Sequence, residues 1–388
     1  MKSFFIYLSG LACLLLSGCI TKYEAKGLRE EKDILVVEGI ITEGESVITI
    51  SRSNNLTDDI PVIYVNDAIV SVECDDGTRI LAEALYRRDG RYTLRTGDLK
   101  LDRKYRLKIE VEEEDCSANG NIQPCPTRKF EYCTDYISPI LTPAIDSVFW
   151  SKKDKGQPVN IHVTTHSTVS EQLYYRWSYR EDWEIMSDIA SSEDFPYPFY
   201  CWNRTNSNDL LIGSAEKTVF GQLMNIITEI NPSNRKLEVL YRIIVQQNAI
   251  SKQAYDYYAN IKKNTRQTAS IFAPVQSELQ GNIMCVTDPG KPVIGYVEIS
   301  TSTQNHLYIP RSDGVYEFVN REWDCEGVSR DWLLEENMGS IPETYVPYYW
   351  QFDLITGKPT ILIYIFNRCI DCTFYGTTNK PDDWPYNH

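Results

Sequence analysis

Asp67-Ala68-Ile69-Val70-Ser71-Val72-Glu73-Cys74 runs straight into Asp75-Asp76-Gly77. Apolar and polar side chains alternate along the first stretch, and an Asp-Gly pair closes it. A period of two puts alternate side chains on opposite faces of a strand, and Asp-Gly suits the backbone of a tight turn. The pattern recurs on both sides. Upstream, Leu35-Val36-Val37-Glu38-Gly39-Ile40-Ile41 is β-branched and breaks at Glu43-Gly44, and residues 46–51 alternate. Downstream, residues 89–94 and 104–111 repeat it. Short strands separated by turn residues predict a β-sandwich of immunoglobulin type over residues 33–138. Within it Cys116 and Cys125 bracket the turn signal Asn119-Gly120, so a disulfide is expected among Cys116, Cys125 and Cys133.

Pro139 and Pro143 mark the end of that domain, and residues 139–388 read as a larger β-rich domain. Residues 144–150 open it. Residues 159–165 alternate, with 173–179 expected as their partner strand. Residues 220–230 are expected to form a short helix ended by Pro232, and 237–246 a strand. Further strands are expected at 294–300, 304–309, 315–319 and 360–366, followed by a loop-like tail. One amphipathic helix is expected over 251–264. Ser251 is placed to cap it, Ile250 and Tyr255 to staple its first turn, and Ala254, Tyr257, Tyr258 and Ile261 to form its inner stripe. The fold class is therefore mainly β.

The 388 residues carry a formal charge of −15, which repels phosphate backbones and excludes nucleic acid as a partner. The 26 tyrosines suit strands with wet edges and a recognition surface. The chain opens with Lys2, an apolar run from Phe4 to Leu16, and Leu16-Ser17-Gly18-Cys19. The run is too short to span a bilayer and reads as a secretory signal over residues 1–18. Its end resembles the lipobox of bacterial lipoproteins. The resemblance implies cleavage before Cys19 and acylation of Cys19, with residues 19–32 as a flexible tether. Two or more acyl chains hold a protein stably on a membrane, and the body would fold where disulfides persist.

Several stretches in order resemble the DUF4249 family of Bacteroidota lipoproteins. They are Leu35-Val36-Val37-Glu38-Gly39, Asp67-Ala68-Ile69-Val70, Ala144-Ile145-Asp146-Ser147-Val148 and Ile250-Ser251-Lys252-Gln253-Ala254-Tyr255-Asp256-Tyr257. Leu279-Gln280-Gly281-Asn282-Ile283, Val293-Ile294-Gly295-Tyr296, Cys369-Ile370-Asp371-Cys372 and Lys380-Pro381-Asp382-Asp383-Trp384 complete the series. The resemblance implies a lipid-anchored outer-membrane protein facing the cell surface, encoded beside a TonB-dependent transporter and serving nutrient capture. It brings no catalytic residues.

Cys369-x-x-Cys372 fits half a zinc site, a redox pair or two disulfide cysteines. In an oxidising compartment disulfides are expected, Cys325 taking one of the two, with Cys285 or Cys201 for the other. His162 and His166 share a strand face roughly 13 Å apart, too far for one metal. The acidic runs Asp58-Asp59 and 112–115 lack calcium-loop spacing, and no nucleophile elbow, zinc-protease helix or phosphate loop is present. No metal, cofactor or catalytic residue is expected. Two aromatic segments are candidate ligand platforms for a glycan or peptide: Phe195, Tyr197, Phe199, Tyr200 and Trp202, then Tyr345, Tyr348, Tyr349 and Trp350. The alternative is that they pack between domains. The functional expectation is a non-enzymatic binding or accessory subunit of a TonB-dependent transporter. The alternatives are a structural or adhesive surface protein, and a surface hydrolase using a carboxylate pair that no motif marks.

Overall fold

Alternating side chains drive almost every element of the chain. The computed structural model describes residues 34–53, 62–84, 88–114, 127–167, 169, 172–267, 281–318, 324–337 and 339–385. The first group of strands is β1 (Leu35–Glu38), β2 (Ile40–Ile41), β3 (Gly44–Arg52), β4 (Ile63–Tyr64), β5 (Ile69–Cys74), β6 (Arg79–Leu81), β7 (Glu83–Ala84), β8 (Arg91–Gly97), β9 (Tyr105–Glu114) and β10 (Thr127–Thr134). The second is β11 (Ile145–Lys152), β12 (Val159–His166), β13 (Tyr174–Met186), β14 (Tyr200–Asn206), β15 (Leu211–Ser214), β16 (Gln222–Ile230) and β17 (Leu240–Ala249). Helix α1 (Lys252–Gln267) follows, then β18 (Ile283–Cys285), β19 (Val293–Gly295), β20 (Glu298–Ile299) and β21 (Ser302–Pro310). The chain ends in β22 (Val328–Ser329), α2 (Arg330–Glu336), β23 (Tyr345–Phe352), β24 (Pro359–Phe366) and α3 (Asn367–Ile370).

The first body is two sheets sharing one core. One sheet runs β19-β1-β3-β8-β7, with β4 added to β3; the other runs β18-β10-β9-β5-β6. Val70 and Val72 of the opening stretch point inward with Leu107, Ile109 and Tyr132, against Leu35, Val37, Ile48, Ile50 and Leu94 of the facing sheet. The body is not closed by contiguous sequence. β18 pairs antiparallel with β10, β19 parallel with β1 and β20 parallel with β2, and Ile283, Val297 and Ile299 enter the same core. The first body thus draws β18, β19 and β20 from beyond residue 138. Parallel pairing across more than 200 residues leaves no local pattern to read.

In the second body β11-β12-β16 packs over the core face of β14-β13-β17-β21, and β15 pairs with β13. Residues 222–230 are a strand, not the expected helix. Their alternation satisfies the ladder to β12, from Val159↔Ile230 to His166↔Gln222. The partners of β12 are thus β11 and β16, whereas β13 pairs with β14, β15 and β17. The expected strand at 315–319 is irregular over its described residues, with Val315 buried in the core.

Helix α1 forms where the sequence placed it. The Ser251 hydroxyl accepts from the Ala254 N–H at 3.1 Å, and Ala254, Tyr257 and Tyr258 are buried with Ile250. It lies at the seam of the two bodies. Tyr258 donates to the Tyr296 carbonyl at 2.8 Å and accepts from Arg176 Nη1 at 3.0 Å, and the Ser251 N–H donates to Glu298 at 2.9 Å.

Candidate functional site

Strand β13 is thirteen residues long and presents two different faces. Tyr175 and Trp177 point into the core, while Arg176, Ser178, Arg180, Asp182 and Glu184 lie on the opposite face. Across the ladder Arg176 meets Asn248, Ser178 meets Gln246 and Asp182 meets Arg242. This polar face is the floor of a cleft of about 850 Å³ whose other wall is the first body, through Glu38, Glu45, Thr49 and Arg91. A second pocket of about 610 Å³ opens beside it between β14 and residues 377–383. Arg180 and Asp383 line both.

The partition between them is an ion-pair cluster. Asp182 has no exposed surface and takes three guanidinium groups: Arg204 Nε at 2.5 Å, Arg180 Nε at 3.3 Å, and Arg242 Nε and Nη2 at 3.1 and 2.7 Å. Burial alone would push its carboxyl up, but hydrogen bonds from Arg204 and Arg242 outweigh it and hold it below the usual carboxylate range. Arg242 also grips Asp383, with contacts at 2.9 and 3.0 Å that hold Asp383 low.

The C-terminal segment is fixed by four devices. Trp202 and Thr377 exchange backbone hydrogen bonds at 2.8 Å, and the Asn203 amide donates to the Tyr375 carbonyl at 3.0 Å. Cys201 and Cys372 form a disulfide. Trp384 is buried, stacks 5.2 Å from the Arg242 guanidinium and donates its indole N–H to Glu184 at 3.2 Å. The tail read as a loop is therefore a built wall of the site.

The remaining sequence candidates sort as follows. Cys325 bonds Cys369, and Cys372 bonds Cys201, so both sulfurs of Cys369-x-x-Cys372 are used. Asp188 lies close to Cys325 and Cys369, but no thiolate is left there to ligate a metal. Cys133 is not in a disulfide; it is a free buried thiol, pushed up to about 11 by burial. Cys116 and Cys125 lie outside the described residues, as does Cys19. His162 contacts the Ser151 hydroxyl at 2.7 Å and stacks on Phe149, while His166 contacts Asp146 at 2.8 Å, so the two share no site.

The two aromatic segments pack on each other. Tyr197 donates to the Pro347 carbonyl, Ser192 to that of Tyr348, and Tyr197 and Tyr348 join one apolar cluster. Phe199 meets Tyr200 edge-on at 4.8 Å, Tyr348 meets Tyr349 at 4.9 Å, and Tyr345 meets Phe366 at 5.9 Å. Phe195 is half-buried and Trp350 is exposed. Of these aromatics only Trp202 lines either of the two cavities, and its indole N–H is buried without an acceptor among the described residues. Sequence reasoning missed Arg180, Asp182, Arg204, Arg242 and Asp383. The available signal was the charge repeat at 176, 180, 182 and 184 on the face opposite Tyr175 and Trp177.

The sequence pattern of the family described as Domain of unknown function (DUF4249) matches residues 20–306. No curated protein matches the chain. Among solved structures, a DUF4785 family protein from Legionella pneumophila is similar at 14% identity and a TM-score of 0.18, over 56% of this chain and 51% of that one. The match thus spans about half the length of that protein.

Proposed function

Since the chain belongs to the DUF4249 family, we propose that it is a lipid-anchored, non-enzymatic binding subunit that serves a TonB-dependent transporter at the outer membrane. The observation that carries this reading is the 850 Å³ cleft between the two bodies, floored by the polar face of β13 and β17. Concave sites between bodies, with convergent polar groups, are where ligands are held. Leu16-Ser17-Gly18-Cys19 supports the anchor. No helix among the described residues is long and apolar enough to cross a membrane.

Electrostatics support binding over hydrolysis. A glycosidase needs a general acid whose carboxyl is raised, facing a second carboxylate. Among the described residues the two carboxyls that burial pushes up, Glu238 and Glu298, do not line the cleft, and Asp383, which does, is held low. Purification from native outer membranes in mild detergent tests the reading. A β-barrel transporter in stoichiometric amount is the expected companion, and its repeated absence would refute the association.

A further inference from the structure

We propose that the pocket between β14 and the C-terminal segment is an anion subsite, in which Arg180 and Arg204 fix the acid group of an acidic oligosaccharide lying along the cleft. The proposal rests on the cleft being a ligand site and does not depend on the transporter.

A guanidinium carries five N–H donors. Arg180 and Arg204 each spend Nε on the buried Asp182 carboxylate. That bond fixes the plane of each group. No acceptor is paired with their Nη groups among the described residues, and both side chains are partly exposed and line the 610 Å³ pocket. Arg242, the third guanidinium on Asp182, is buried and closed off by Asp383 and Trp384. The arrangement thus splits into a buried anchor and two outward forks. Paired forks suit the coplanar oxygens of a carboxylate, or those of a sulfate. Trp202 adds a buried indole N–H without an acceptor on the same wall. Lys380 and Asp382, also on that wall, carry opposite charges.

The rest of the cleft argues for a saccharide over a peptide. Its floor and rim carry Ser178, Asn206, Asn208, Gln246, Asn248 and Gln304. Amides and hydroxyls pair with sugar hydroxyls, whereas peptide side chains call for apolar pockets. Because Arg180 lines both cavities, a chain filling the larger one would bring an acid group to the pair.

The test uses the full lipidated chain in detergent micelles and isothermal titration. The probes are an oligogalacturonate, its methyl ester, a sulfated oligogalactose, a neutral maltooligosaccharide of equal length and an acidic peptide. An acidic saccharide is expected to bind at least tenfold more tightly than the ester and the neutral chain, and to weaken as salt rises. Arg204→Gln and Arg180→Gln should each reduce that affinity about tenfold without lowering the thermal midpoint sharply, since each leaves Asp182 two guanidiniums. Arg204→Lys should recover part of it. Equal binding of the ester, unchanged affinity in both Gln variants, preference for the peptide, or no binding of either acidic saccharide would each overturn the proposal. Acid binding without a co-purifying barrel would leave the subsite standing and remove the transporter association alone.

Discussion

Asp182→Asn should destabilise the fold by about 3–5 kcal/mol, the range for removing one partner of a buried charge pair. Asp182 has no exposed surface and the Arg242 side chain beside it is 2% exposed, so neither can be rehydrated without opening the sheet. An Asn at this position keeps the shape but loses the charge. Its amide N–H₂ would face guanidinium donors, and the carboxylate left to Arg242 would be Asp383, whose side chain is 62% exposed. The reverse change, Arg242→Met, should cost less. Asp182 keeps Arg180 and Arg204, and Asp383 simply returns to water. Urea unfolding followed by fluorescence of the eight tryptophans gives both values. The pH dependence adds an independent check. In the folded state the Asp182 carboxyl is held below its ordinary value of about 3.9. Its contribution is present above that value and is lost as pH falls through the lower, folded one. The wild type should therefore lose stability below about pH 4, and Asp182→Asn should lose less over that window. A cost under about 1 kcal/mol, within the usual range for exposed ion pairs, would refute the buried-anchor reasoning.

Breaking Cys201–Cys372 by paired alanines should cost up to about 5 kcal/mol and breaking Cys325–Cys369 up to about 4, from loop entropy over separations of 171 and 44 residues. A larger loss from the shorter loop, measured by denaturant titration under oxidising conditions, would show that loop closure is not the controlling term. Phe220 is 78% exposed at φ 58, so Phe220→Gly should leave stability unchanged or raise it by up to about 1 kcal/mol, read as a shift in the thermal midpoint. Gly221→Ala beside it should be strongly destabilising, because its φ is +63 and a Cβ would sit 1.8 Å from the Ser167 carbonyl oxygen. Cys19→Ala should abolish acyl labelling and release the protein from the membrane fraction; retention there with no label would overturn the lipid-anchor reading.

Most strands could be read locally because their information is local. The run from Ile69 to Cys74 lies where its alternation puts it, and Ser251 caps α1 through the donor its spacing predicts. Residues 220–230 failed because Leu223, Ile226, Ile227 and Ile230 fit a helical stripe as well as a strand. The ladder to β12 decided between them. The tail is irregular, as its sequence predicts, but its place as a wall of the site was not legible. Lys380-Pro381-Asp382-Asp383-Trp384 has no periodicity, and its order comes from Arg242 and Glu184 on distant strands.

The sequence by itself therefore determined the β class, the helix with its cap and the acidic character, since each depends on composition or on neighbours within a few residues. Only the tertiary structure decided that β18 to β20 return to the first body, which partner each of Cys369 and Cys372 takes, and that three guanidinium groups meet at one buried carboxylate. Those outcomes join residues as far apart as Asp182 and Asp383. Desolvation, which makes such charges costly unless they are paired, acts only after the chain has folded around them.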